Sequence, residues 1–222
     1  MESDKVSVII TTYNRFKYLL NTIKSVKDQT YKNIEIIVVN DKSTEKEYYE
    51  YDWNDIKIIH LEQNSKDKFG FACPGGYQRN YGIDVASGNI IAFCDDDDSW
   101  FPQKIELQVK DMKETGCKMS STEAFMGYGM YNPNMRYSSY LKSKGHRLPR
   151  IFNKELMKRR NFMICSSVVI YKDVIDRVGK FIIANKNEDY EYWLRALDHT
   201  NSVFVNVPLM YYDMGHGYGQ KY

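Results

Sequence analysis

The sequence predicts an α/β fold in which a central, mostly parallel sheet is flanked by helices. Three observations support this class. Apolar, β-branched runs alternate with amphipathic segments over most of the chain. Within these runs, apolar and polar residues do not alternate as they would in a strand with one solvent-exposed face. Several of the runs end directly in polar residues. With 222 residues the chain can bury a sizeable core. We therefore expect one domain spanning residues 1–222, without an internal repeat or a linker.

The first half of the chain contains four predicted strands. They cover residues 6–10, 33–39 and 56–61 and the apolar run that ends at Cys94. Helices are predicted at 15–29, where apolar residues recur at helical spacing, at 77–86, and at 103–114, which starts after Pro102 and stops at Gly116. A helical segment is also expected after residue 43, whereas 62–76 has no clear period and is predicted to be a loop.

The second half is predicted to contain strands at 118–125, 165–171 and 203–207. Helices are expected at 172–178 and 188–197, and residues 127–149 and the tail 211–222 are irregular in pattern. We expect residues 1–116 to form one functional half and residues 117–222 the other.

Four consecutive aspartates, Asp95 to Asp98, follow the strand that ends at Cys94. Carboxylates this close repel one another and lose hydration when partly buried, so they persist either in full solvent or around a cation. The sequence Trp-Phe-Pro at 100–102 argues against full solvent. We therefore predict a divalent-metal site at the carboxyl end of a central strand, where open α/β sheets bind ligands.

Three other interpretations of the aspartates were weighed. A solvated acidic turn is disfavoured by the apolar residues on both sides. A calcium loop would place Asp95, Asp97 and Ser99 at its first, third and fifth positions, but it requires glycine where Trp100 stands. An aspartyl phosphatase with Asp95 as nucleophile and Asp97 as acid remains an alternative from another enzyme class.

Composition excludes few functions. The net charge of +2 indicates no general preference for nucleic acid or membranes, and four scattered cysteines without a C-x-x-C pair disfavour a zinc site or a disulfide framework. No apolar run reaches the length of about 18 residues that a transmembrane helix needs. A cytoplasmic protein without a transmembrane segment is the expectation.

The order of several motifs resembles glycosyltransferase family 2. Val6-Ser-Val-Ile-Ile-Thr-Thr-Tyr-Asn-Arg and the segment from Ser25 to Thr44 are similar to its nucleotide-binding half. Gln78-Arg-Asn, followed by Asp95-x-Asp and Pro102, resembles its Asp-x-Asp region. Ser166-Ser-Val-Val-Ile and Asn187-Glu-Asp-Tyr resemble its acceptor half, so that the likeness spans residues 6–212.

This resemblance implies a GT-A fold, a Rossmann-like domain that binds a nucleoside diphosphate sugar, such as a UDP-sugar, and transfers the sugar with inversion to a hydroxyl of a glycan, lipid-linked or protein-linked acceptor. It implies Mn²⁺ or Mg²⁺ as cofactor and a role in polysaccharide biosynthesis. The implied catalytic base is Asp189, the implied metal ligand is Asp97, with His216 of the tail as a further candidate, and the implied substrate-binding residues are Thr11, Tyr13, Asp41, Arg79, Asp95 and Glu188. A sugar-nucleotide or glycan binder that kept the fold without catalysis is the alternative from a different functional class.

The sequence departs from the family pattern at several positions. Thr11 stands where the family usually has proline, and Asn40 replaces one of two acidic residues that bind the base. The loop after Asn64 is longer than usual. Asp96 occupies the variable position of the motif, so its replacement is expected to be milder than that of Asp97.

A basic stretch at residues 142–160 is the remaining unusual feature. It carries eight lysines and arginines against a single glutamate, Glu155. A solvated surface is one interpretation. The other is peripheral contact with a membrane surface or an anionic acceptor.

Overall fold

The computed structural model describes residues 4–71 and 75–216 of the chain. The strands are β1 (Val6–Thr12), β2 (Ile34–Asn40), β3 (Lys57–His60), β4 (Ile90–Asp95), β5 (Ser99–Trp100), β6 (Met119–Gly127), β7 (Ser138–Ser139), β8 (Ile151–Phe152), β9 (Val169–Tyr171) and β10 (Ser202–Asp213). The helices are α1 (Phe16–Lys27), α2 (Glu47–Glu50), α3 (Ser65–Phe69), α4 (Gly76–Val85), α5 (Lys104–Thr115), α6 (Tyr140–Ser143), α7 (Lys154–Met157), α8 (Lys172–Val178) and α9 (Glu188–Ala196).

These strands form one mixed sheet of order β3-β2-β1-β4-β9-β6-β10-β5, with β7 paired to β6 and β8 paired to β10. Strands β1 to β4 are parallel throughout. The short strand β9 runs antiparallel to both of its neighbours, β4 and β6, while β10 runs parallel to β6. The predicted α/β class is confirmed, with a parallel first half and a mixed second half.

Alternate side chains of the central strands enter two separate cores, one on each face of the sheet. Ile9 and Ile91 belong to one core, which also holds Trp193 of α9. Val8 and Ala92 belong to the other, which receives the apolar sides of α1 and α5. Because both faces are covered, the strands need apolar residues at every position, which explains the continuous apolar runs in the sequence.

Three predicted elements differ in detail. Helix α3 lies inside the segment predicted to be a loop. The segment predicted as a strand at 165–171 begins with a 3₁₀ turn, Cys165–Ser167, so that only its last three residues are β9. Strand β10 continues to Asp213, past the predicted end at residue 207, by means of register shifts on both sides of Pro208.

The parallel strands β1, β2 and β4 all end at the same edge of the sheet, at Thr12, Asn40 and Asp95. This edge carries the polar residues that the sequence singled out. Within the described ranges, no helix is long and apolar enough to cross a membrane.

Candidate active site

The acidic turn after β4 points its four carboxylates in two directions. Asp96 and Asp98 are fully buried, whereas the side chains of Asp95 and Asp97 keep 31% and 10% of their surface exposed. The backbone turns at Asp96 and Asp97, where the Asp98 amide donates to the Asp95 carbonyl at 3.2 Å, and this turn leaves Asp95 and Asp97 on its outer side. Asp95 and Asp97 therefore face the open edge of the sheet.

A cleft of about 600 Å³ opens at this edge. Of the nine site residues predicted from the sequence, eight line it: Thr11, Tyr13, Arg79, Asp95, Asp97, Glu188, Asp189 and His216. Residues as far apart in sequence as 11 and 216 thus meet in one place. The volume falls within the range of small-molecule and cofactor sites.

Arg79, on the first turn of α4, connects two parts of the cleft. Its Nη2 donates to Asp95 Oδ1 at 2.7 Å, and its Nη1 donates to Glu188 Oε1 at 2.9 Å. The guanidinium is almost completely buried and lies beside the ring of Phe181. Gly75 makes room for it, because a Cβ at that position would lie 2.8 Å from Arg79 Cζ. Arg79 therefore joins the acidic turn to the start of α9.

Glu188 and Asp189 occupy the first turn of α9. Burial raises the pKa of Glu188 to about 7, opposed by Arg79 and assisted by Asp189. Burial also raises the pKa of Asp189, and the charge of Arg79 lowers it. Burial is thus the main cause of both shifts, and the neighbouring charge of Asp189 adds to the raised pKa of Glu188.

Asp97, His216 and Asp213 lie close together in one part of the cleft. Asp97 Oδ2 lies 3.8 Å from His216 Nδ1, which is 3.0 Å from Asp213 Oδ2. The other oxygen of Asp213 accepts hydrogen bonds from the backbone amides of Gly129 and Gly215. Asp213 was missed by the sequence analysis, although its position three residues before His216 in a glycine-containing tail was a usable signal.

The donor set fits a divalent cation that is shared with a substrate. In the described part of the chain, no group of three or more His, Cys, Asp or Glu side chains could hold a metal by itself. Mg²⁺ sites, however, commonly use one or two carboxylates and complete the shell with substrate phosphates and water. Burial and neighbouring carboxylates raise the pKa of Asp97 well above its usual range, so that its ionised form needs more positive charge than Arg15 provides.

Asp96 makes a buried ion pair that the sequence analysis did not foresee. Arg15 Nη2 lies 2.7 Å from Asp96 Oδ1, and Thr12 Oγ1 donates to Asp96 Oδ2 at 2.7 Å. Its replacement was expected to be milder than that of Asp97, because its position is variable in the motif. In the structure Asp96 anchors the loop between β1 and α1. The Asn-Arg pair that ends the first motif was the available signal.

Asp41, the ninth predicted residue, is withdrawn from the cleft. It is 1% exposed, and its carboxylate accepts hydrogen bonds from the amide and the hydroxyl of Ser65, at 2.9 and 2.6 Å. Asn64 donates to the same carboxylate and caps α3. Asp41 thereby holds the loop after β3 against the end of β2, and it acts on the cleft through Tyr13, whose pKa is raised by burial and by the charge of Asp41.

The basic stretch lies between two segments of the chain that contribute residues to the cleft. Tyr140, Asn161 and Met163, which flank it in sequence, line the cleft. Arg150, Lys154 and Lys158 form exposed ion pairs with carboxylates. The other five cations of the stretch, Lys142, Lys144, Arg147, Arg159 and Arg160, form no ion pair with any residue that the structure describes, although Lys144 lies over the ring of Tyr140 and Arg160 contacts His146.

Comparison with known sequences identifies relatives over most of this region. The sequence model of the family described as "Glycosyl transferase family 2" matches residues 7–179. The putative teichuronic acid biosynthesis glycosyltransferase TuaG of Bacillus subtilis is 35% identical over 130 residues, which are 56% of this chain and 47% of TuaG. The Escherichia coli protein WfaP, named UDP-Glc:alpha-D-GlcNAc-diphosphoundecaprenol beta-1,3-glucosyltransferase, is 30% identical over 192 residues, which are 86% of this chain and 70% of WfaP.

Other relatives are much longer than this chain. An uncharacterized glycosyltransferase of Rickettsia bellii is 40% identical over 120 residues, which are 53% of this chain but only 16% of that protein. Among solved structures, S. aureus TarS (residues 1–349) in complex with UDP-GlcNAc matches with a TM-score of 0.74 and 19% identity, over 98% of this chain and 61% of that solved chain. The likeness to TarS shows the fold, and the match over residues 7–179 shows the family. The chain belongs to glycosyltransferase family 2 and has the GT-A fold that the sequence motifs predicted.

Proposed function

We propose that this chain is a metal-dependent, inverting glycosyltransferase that moves a sugar from a UDP-sugar to an acceptor hydroxyl. The observation that supports this proposal best is the meeting of Asp95, Asp97 and Asp189 in one cleft of about 600 Å³. A transferase needs a carboxylate for a cation beside the diphosphate and a second carboxylate for the acceptor proton. Here both come from separate elements and face the same space.

In this proposal the nucleoside lies along the ends of β1 and β2. Thr11 and Tyr13 form the wall of the cleft there, and Asp41 acts behind that wall by fixing the loop that begins at Asn64. Asp95 faces the ribose, held in place by Arg79. The choice of uridine rests on similar proteins, since WfaP is named for UDP-Glc and TarS was solved with UDP-GlcNAc.

Asp97, with His216 beside it, would hold Mn²⁺ or Mg²⁺. When bound, such a cation would neutralise the negative charge that develops on the diphosphate as it leaves. The protein's part is to hold Asp97 at the mouth of the cleft and to limit its mobility, which its backbone does as part of the turn after β4.

Asp189 is the proposed general base. Its raised pKa suits a group that accepts a proton, because a more basic carboxylate binds the proton of an attacking hydroxyl more strongly. The acceptor oxygen forms a bond to the anomeric carbon while the bond from that carbon to the diphosphate oxygen breaks. The hydroxyl proton passes to the Asp189 carboxylate, and attack opposite to the leaving group inverts the anomeric centre.

Residues 117–222 would supply most of the acceptor side. The unpaired cations Lys142, Arg147 and Arg159 lie on the basic stretch, between two segments that contribute residues to the cleft, and they suit an anionic acceptor or the surface of an anionic membrane. WfaP is named for an acceptor linked to diphosphoundecaprenol, which combines an anionic diphosphate with a lipid. We therefore include a lipid-linked glycan acceptor, cytoplasmic action and a part in polysaccharide biosynthesis in the proposal.

The test begins with a thermal-shift screen of nucleoside diphosphate sugars with and without Mn²⁺, because a ligand that binds the folded state raises its melting temperature. The donor that binds is then used to measure release of the nucleoside diphosphate, with Glu191→Gln on the same helix as the matched control. Asp189→Asn is expected to lower turnover at least about 100-fold, in line with the usual contribution of general bases, and to leave donor binding intact.

Two outcomes would contradict the proposal. Donor binding without turnover under any condition would favour a binder that kept the fold. Full activity of Asp189→Asn would show that another group takes the proton.

A further inference from the structure

Arg15 lies between β1 and α1 and is held from two sides. Its Nη2 lies 2.7 Å from Asp96 Oδ1 in a close ionic contact, and its Nε donates a hydrogen bond to Asp96 Oδ2 at 3.2 Å. Asp96 is itself fixed by the hydroxyl of Thr12, which also contacts the hydroxyl of Tyr48 at 2.6 Å. The backbone amide of Arg15 donates to the same tyrosine oxygen. The guanidinium therefore has a fixed position at the wall of the cleft.

The third contact of Arg15 reaches into the cleft. Nη1 donates to Asp97 Oδ2 at 2.9 Å. This oxygen of Asp97 is the one that lies 3.8 Å from His216 Nδ1. A positive charge of the protein thus already occupies the carboxylate oxygen that faces the imidazole.

A divalent cation and a guanidinium on the same oxygen repel each other, and the repulsion is strong because the site is largely shielded from water. We propose that Arg15 is a built-in counter-ion of Asp97 that competes with the divalent cation, so that the cation binds weakly until a nucleoside diphosphate adds negative charge to the cleft. This inference rests on the proposed metal-dependent function. Arg15 is then a positioning residue that acts through Asp97, and its pair with Asp96 keeps it near the cleft when Nη1 leaves.

The competition predicts an unusual direction of change. Loss of a residue with a merely structural role would weaken cation binding or leave it unaltered. Loss of a competing charge strengthens it. Arg15→Gln is therefore expected to bind Mn²⁺ alone at least about tenfold more tightly than the natural chain, because a unit charge in contact with the ligand oxygen has been removed. Arg15→Lys keeps the charge without the two-point contact to Asp96. Its affinity for Mn²⁺ is expected to lie between those of the natural chain and Arg15→Gln.

The experiment measures free Mn²⁺ by electron paramagnetic resonance during titration of the whole chain, first without nucleotide and then with saturating UDP. Because Arg15→Gln leaves Asp96 buried without its partner, the double variant Arg15→Gln/Asp96→Asn is measured as well. It removes both charges of the pair and still lacks the competitor. Lys24→Gln, which removes an exposed cation of α1 that pairs with Asp28, is the control and is expected to match the natural chain.

The inference is supported if Arg15→Gln and Arg15→Gln/Asp96→Asn both bind Mn²⁺ more tightly than the natural chain, with a smaller gain in the presence of UDP. If both of these variants bind Mn²⁺ equally well or more weakly, while the natural chain binds Mn²⁺ with UDP, the inference alone is overturned. Unchanged Mn²⁺ binding combined with weaker UDP binding overturns it too, and would make Arg15 a phosphate ligand. No Mn²⁺ binding by any of the proteins, even with UDP, overturns the inference together with the proposed metal dependence.

Discussion

Replacement of Arg79 by methionine tests whether the centre of the cleft is held by a buried ion pair. The change keeps much of the side-chain volume and removes the guanidinium from Asp95 and Glu188, which it contacts at 2.7 and 2.9 Å. Breaking one side of a buried ion pair leaves an uncompensated charge and costs about 3–5 kcal/mol. We expect a loss of that size in the free energy of unfolding at pH 8.

The loss is expected to depend on pH because of Glu188. The pKa of this carboxyl is raised from 4.5 to about 7, so the folded chain binds its proton more tightly than the unfolded chain does. Stability therefore falls as the pH rises between these two values. Without Arg79 the pKa of Glu188 rises further. At pH 5.5 Glu188 is protonated in both proteins, only the partly exposed Asp95 loses its partner, and the loss is expected to be about 1–2 kcal/mol.

The assay is urea unfolding at pH 5.5 and 8, followed by tryptophan fluorescence. Lys180→Met is the matched control, because Lys180 forms an exposed ion pair with Asp84 of the same helix α4. Such surface pairs contribute about 1 kcal/mol or less. The double variant Arg79→Met/Glu188→Gln is expected to recover much of the loss at pH 8. A loss at pH 8 no larger than that of Lys180→Met, or one that is equal at both pH values, would refute the reasoning.

Two further predictions concern buried charges near the cleft. Asp96→Asn is expected to lose about 2 kcal/mol of stability, because the buried hydrogen bonds of its carboxylate with Arg15 and Thr12 are disturbed. Asp97→Asn is expected to fold at least as stably as the natural chain, because burial and neighbouring carboxylates already raise the pKa of Asp97 and oppose its ionisation, but it no longer binds Mn²⁺. Urea unfolding and Mn²⁺ titration separate the two, and an Asp96→Asn protein of unchanged stability would contradict the first. Lys104 is fully buried, and burial lowers its pKa from 10.5 to about 7. Between pH 7 and pH 10.5 the unfolded chain therefore binds this proton more tightly than the folded chain does, so stability rises with pH in that range. The free energy of unfolding of the natural chain, relative to Lys104→Met, is therefore expected to rise by about 1 kcal/mol per pH unit from pH 7 to 9.5, and a constant difference would show that Lys104 stays charged.

Most of the sheet and the long helices could be predicted because burial on both faces leaves a clear record in the sequence. The failures have local causes. Strand β10 was predicted to end at residue 207, just before Pro208, but proline is tolerated at a bulge, and the register shifts there carry the strand on to Asp213. Helix α3 has five residues, too few for a period, although Asn64 before it and Gly70 after it are ordinary capping residues.

The sequence predicted which residues line the cleft better than it predicted which of their side chains contact one another. Motif order placed eight of nine residues in the cleft, because each motif ends a strand or begins a helix at the same edge of the sheet. Sequence order does not reveal which charges pair. Arg79 was expected to hold the nucleotide, and in the structure its guanidinium forms ion pairs with Asp95 and Glu188, which lie in distant parts of the sequence. Asp213 and Arg15 were missed for the same reason.

The four aspartates illustrate why pairing has to be found in the structure. In the sequence they are equivalent, but in the folded turn Asp96 and Asp98 are buried while Asp95 and Asp97 line the cleft. Asp96 meets Arg15, and Asp98 accepts a hydrogen bond from the backbone amide of Asp213 at 3.0 Å. These contacts of Asp96 and Asp98 fix the backbone turn, which in this way holds Asp95 and Asp97 toward the cleft. The motif is therefore a single unit, in which two carboxylates stabilise the backbone that presents the other two. A variant at either inward position is expected to alter ligand binding through the geometry of the outward pair.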